Sequence, residues 1–116
     1  MGLNAVVYSN GAAGVQGAGR DPQVLIERRL GNATCIAEVS HVVELTLGEQ
    51  SLLRCKVLYS ASHAGDYLSA KEIPQLEREL DILTRSVPSP VIAGFVSAMR
   101  DLVEIAKREN TSIWFV

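Results

Sequence analysis

Apolar and polar positions divide the chain into short alternating runs and longer amphipathic stretches. Leu3–Tyr8 (LNAVVY) is short and β-branched at Val6 and Val7, which predicts a first strand stopped by Ser9-Asn10-Gly11. The next stretch, Ser9–Gly19, carries Gly11, Gly14, Gly17 and Gly19 and reads as a surface loop. Its glycine order matches neither the G-x-G-x-x-G dinucleotide fingerprint nor a Walker loop ending in Gly-Lys-Ser/Thr. Asp21-Pro22 offers a capping carboxylate followed by proline in the first turn. This predicts a helix whose buried stripe is Leu25, Ile26 and Leu30, ended or bent at Gly31.

Asn32–Leu47 fits both periods. Its length favours a helix capped by Asn32, and its β-branched content favours a strand; the helix is preferred. In Leu52–Tyr59, Leu53, Cys55, Val57 and Tyr59 alternate with Arg54 and Lys56, the pattern of a half-buried strand. Ser69-Ala70-Lys71-Glu72 is a capping box, with Leu68 and Ile73 as its hydrophobic staple. The helix that follows buries Ile73, Leu76, Leu80 and Leu83 and turns Glu77, Arg78, Glu79 and Asp81 to water. Ser86–Pro90 breaks it, and Ser89-Pro90 opens another. There Ile92, Phe95, Val96, Met99, Leu102, Val103 and Ala106 cover a wide arc, predicting the most buried helix. Asn110 suits a left-handed cap, and Ser112–Val116 (SIWFV) predicts a closing strand buried in the sheet.

These elements predict one α+β domain over residues 1–116, in two layers. A small three-stranded sheet (strands near 3–8, 52–59 and 112–116) packs with about four helices. The β-α-α-β order allows parallel pairing through right-handed crossovers. Open sheet edges point to self-association as a homodimer.

Composition narrows the function classes. With 116 residues, 47% hydrophobic and 21% charged, the chain can build one real core. Its net charge is −2, and no basic cluster exceeds Arg28–Arg29, so no nucleic-acid partner is predicted. No apolar run approaches the ~20 residues of a membrane span, and Met1–Ser9 lacks a leader pattern. The expected location is therefore the cytoplasm, away from any membrane. There Cys35 and Cys55, set in apolar segments, would be buried free thiols.

The polar stretch Ser60–Asp66 carries the chemistry. His63 and Asp66 form a His/carboxylate pair within one polar turn, and an Asp accepting from one imidazole nitrogen would orient a general base. Ser60 and Ser62 could supply a hydroxyl, and Gly65 could let a backbone N–H face a ligand oxygen. The same residue types are also ordinary turn formers. The candidate catalytic residues are thus His63, Asp66, Ser60 and Ser62. The candidate ligand-binding residues are Tyr59, Ser60, His63, Gly65, Asp66, Arg28 and Asn32. His63, Asp66, His41 and Cys55 lack CxxC or HxxxH spacing, so no metal site and no cofactor is predicted. His41 reads as a core histidine.

The opening MGLNAVVYSN, the segments ERRLGNATCIAEV and KVLYSASHAGD, and the closing AKRENTSIWFV resemble a group of small bacterial proteins with no activity attached. The most specific part is RLGN followed by KVLYS and a His-x-Gly-Asp turn. Members of the group read Ser-Gly-Thr-His-Ser-Gly-Asp where this chain has Ser60-Ala61-Ser62-His63-Ala64-Gly65-Asp66. The resemblance implies a fold, a helix over the region matching Gly31–Leu47 and a site location, and it implies no reaction. Size, acidity and an incomplete catalytic set favour a cytoplasmic binding or interaction domain, immunity-like or regulatory, acting on a protein partner. The alternative is a small hydrolase or transferase working on a small ligand with the Ser/His/Asp turn at residues 60–66.

Overall fold

A computed structural model describes residues 2–8, 24–59, 65–86 and 89–116. The loop Ser9–Gly19, the helix start Asp21-Pro22 and the candidates Ser60, Ser62 and His63 lie outside the described residues. In chain order the elements are β1 (Gly2–Tyr8), β2 (Val24–Asn32), α1 (Ala33–Thr46), a π-helical turn (Leu53–Val57), β3 (Tyr67–Leu68), a 3₁₀ turn (Ala70–Glu72), α2 (Ile73–Ser86), α3 (Pro90–Glu109) and β4 (Ile113–Phe115). The fold is α+β, as the hydrophobic pattern predicts.

The sheet differs from the expected one in three respects. It has four strands among the described residues, in the order β2-β1-β4-β3. Every pairing in it is antiparallel. The segment expected as a helix up to Leu30 is strand β2, in register with β1 through Val7–Ile26, Val6–Glu27 and Ala5–Arg28. The competing force is backbone satisfaction. As a central strand, β1 exposes N–H and C=O groups along both sides, and β4 covers only one of them.

Leu52–Tyr59, expected as a strand, is instead coiled around the π turn. Its buried residues are Leu52, Leu53, Val57 and Leu58, with Cys55 and Lys56 exposed. Leu52 and Val57, like Leu53 and Leu58, stand five apart, the spacing that a π turn brings onto one face. The Leu58 N–H closes that turn on the Leu53 carbonyl at 2.8 Å. Alternation misreads such a run because its buried positions follow neither period 2 nor 3.6.

The helices match the sequence pattern more closely. Asn32 caps α1, its side-chain oxygen accepting the Cys35 N–H at 2.9 Å. Ser69 and Glu72 form both halves of the capping box ahead of α2. All seven apolar residues expected on α3 are buried, and Asn110 ends it in the left-handed conformation at φ 52°. α3 packs on α2 and across β2, β1 and β4, so the helices occupy one face of the sheet. Leu3, Ala5, Val7, Leu68, Ile113 and Phe115 meet them there. Each large apolar side chain so buried contributes roughly 1.5–3 kcal/mol. On the far face the register lines up Glu27, Val6, Trp114 and Tyr67 across all four strands.

Candidate functional site

Tyr59, Gly65 and Asp66 come together in one cleft, which among the described residues is also lined by Cys55, Lys56 and Tyr67; its volume is about 370 Å³. One wall is the π turn and its exit, and the other is the chain entering β3. Local sequence explains both.

The π turn is anchored from α2. Glu79 is only 7% exposed, and its carboxylate accepts the N–H groups of Leu52 and Leu53, each at 2.8 Å. Gln75 adds a third hydrogen bond at 3.1 Å. The first amides of any helical turn lack intrahelical acceptors, and here a buried anion supplies them. The sequence pattern places Glu79 on the solvated face, between Arg78 and the seam residue Leu80. No signal in α2 alone reveals otherwise, because the donors come from residues 26 and 27 positions earlier.

A second carboxylate steadies the middle of the turn. Glu72 accepts the Ser69 N–H at 3.0 Å through Oε1 and the Lys56 ammonium at 3.1 Å through Oε2. Partial burial works against its ionisation. The Ser69 amide and hydroxyl and the Lys56 charge outweigh that, holding the carboxyl below its ordinary value of 4.5. Lys56 therefore reaches the cleft with its charge already countered.

The opposite wall is a bulge. The Gly65 N–H donates to the Phe115 carbonyl at 2.8 Å, and the Phe115 N–H donates to the Asp66 carbonyl at 2.9 Å. Two residues thus oppose one, with a glycine at φ 99° in the first position, the arrangement of a G1 bulge. The Gly65 amide is committed to the sheet and does not face a ligand oxygen as the sequence suggested. Next along the strand, Tyr67 stacks on Trp114 with ring centroids 4.6 Å apart. Tyr59 and Tyr67 stay 46% and 48% exposed.

The other candidates sit elsewhere. Arg28 is on β2 and pairs with Asp101 of α3 at 3.1 Å. Asn32 serves as the α1 cap. His41 is exposed rather than buried in the core, lining with Glu44 and Arg54 a second hollow that shares Tyr59 with the cleft. Both cysteines are free, yet Cys55 is exposed and Cys35 half-buried, so the expectation of two buried thiols does not hold. Among the described residues no cluster of three His, Cys, Asp or Glu could hold a metal ion, and no helix is long and apolar enough to cross a membrane.

Comparison of the chain with protein-family models, with curated proteins and with solved structures finds no match.

Proposed function

We propose that this chain is a small binding domain of the cytoplasm that acts by occupying a protein partner, as immunity and regulatory proteins do, and that the cleft between the π turn and β3 is its recognition surface. The observation that carries this reading is the pair of tyrosines. Each wall contributes one tyrosine, both residues about half exposed, and the Tyr67 ring is braced against Trp114. Rigid amphipathic rings at the rim of a hollow supply contact area at little entropic cost, and for that reason tyrosine is enriched in recognition surfaces.

The bulge favours binding over acyl transfer. In the hydrolase reading the Gly65 N–H would be the donor facing a developing oxyanion, and that N–H is already bonded to the Phe115 carbonyl. The exposed Cys55 thiol suits a reducing compartment. We also place the chain with the bacterial group that shares its RLGN and KVLYS segments, and both segments have physical roles here. Arg29-Leu30-Gly31-Asn32 closes β2 at a register shift and caps α1. In the other segment Lys56 and Tyr59 line the cleft while Val57 and Leu58 anchor it.

Panning a random-peptide library on the immobilised protein tests the reading. Peptides enriched on wild type should lose binding to a Tyr59→Ser/Tyr67→Ser variant that melts at the wild-type temperature. Failure to enrich any peptide, or equal binding to both proteins, would overturn it.

A further inference from the structure

We infer that the chain pairs with a second copy of itself through the open edge of β2, in a single register centred on Arg28. The inference stands apart from the cleft reading, since β2 and β3 are opposite edges of the sheet. Among the described residues no strand lies beyond β2.

The groups offered by that edge follow from its neighbours. The Val116 N–H donates to the Asn4 carbonyl at 3.0 Å, so even-numbered residues of β1 bond toward β4 and odd-numbered ones toward β2. Ala5 and Val7 face Arg28 and Ile26, making those the bonded pairs. The amide groups of Glu27 and Arg29 therefore point outward. The Glu27 carbonyl confirms this, for it accepts Nη1 of the exposed Arg28 side chain at 2.8 Å.

Charges on an edge strand normally deter pairing. Here their order makes the deterrence depend on register. A two-fold axis that keeps the helices of both copies on one side sets residues of equal parity opposite each other. Centred on Glu27, it opposes two Glu27 carboxylates. Centred on Arg29, it opposes two Arg29 guanidinium groups and leaves Glu27 facing Gly31. Centred on Arg28, it sets each Glu27 against the other copy's Arg29, and neither residue has an ion-pair partner among the described residues. The two Arg28 side chains that then face each other are each countered by their own Asp101. The Glu27 carbonyl has a second lone pair for the incoming N–H of Arg29.

Register shifts of the β1–β2 ladder bound the regular run on both sides, so the pairing is short and the dimer should dissociate on dilution. Its two sheets would join edge to edge and carry a cleft at each far end, which suits a bivalent binder.

Sedimentation velocity over a concentration series, on wild type, Glu27→Arg, Arg29→Glu and the double swap, tests the proposal. Wild type should self-associate, each single swap should weaken association on the order of tenfold or more, and the double swap should restore it. Hydrogen exchange at the Glu27 and Arg29 amides should slow as wild-type concentration rises. Glu27→Gln, which removes only the attraction, replaces Glu27→Arg if that variant melts early. A wild type that stays monomeric to its solubility limit, single swaps with unchanged association, or a well-folded double swap that fails to recover would each overturn it.

Discussion

The buried carboxylate of Glu79 holds the amide of Leu53 at 2.8 Å, across 26 positions of sequence, and takes the Leu52 amide with its other oxygen. This contact ties α2 to the turn that carries Cys55, Lys56 and Tyr59. Glu79→Gln keeps the shape but sets an NH₂ against one buried N–H. It should lower stability by about 2 kcal/mol in a guanidinium melt. Glu77→Gln, on the same helix, breaks only the surface pair with Lys107 and should cost less than about 0.5 kcal/mol. Equal effects would mean that the clamp contributes nothing.

Two glycines with open space around them should respond with opposite sign. Gly65 sits at φ 99° and Gly94 lies within α3, and an added Cβ meets nothing within 4 Å at either. Gly65→Ala should therefore cost about 1–2 kcal/mol from backbone strain alone. Gly94→Ala should gain about 0.5–1 kcal/mol from helix propensity. Thermal melts of the two variants check both signs.

Much of this fold is legible from local signals. The capping box at Ser69–Glu72, the cap at Asn32 and the seven buried residues of α3 all follow from neighbours three or four positions apart. The misreadings share one cause, which is partners distant in sequence. β2 is a strand because β1 needs a second neighbour, although Asp21-Pro22 and Leu25, Ile26 and Leu30 suit a helix. The π turn persists because Glu79 caps it, and Glu79 is itself read as solvated until that turn is placed. At the site, sequence proximity finds Tyr59, Gly65 and Asp66. It misses Tyr67, and it misses Cys55 and Lys56, which reach the cleft from the coiled 52–59 segment.

Glu72 gives the fold a pH-dependent stability. Its folded pKa lies below the ordinary 4.5, so the folded state favours the ionised form. The stability this adds is fully present above the unfolded value and is lost as pH falls below 4.5 through the folded pKa. Wild type should lose stability over that acid window, and Glu72→Gln should lose less of it. Parallel acid profiles of the two proteins by urea melts would contradict the assignment.

The central claim is that the coiled 52–59 segment and the bulge at Gly65 together build a recognition cleft. An ¹⁵N-HSQC titration with a peptide selected on wild type tests it most directly. The account predicts shifts concentrated on Cys55, Lys56, Tyr59, Gly65, Asp66 and Tyr67. Shifts centred instead on α3 at Ile92, Val96 and Arg100, which line a hollow of their own, with those six resonances unmoved, would contradict it.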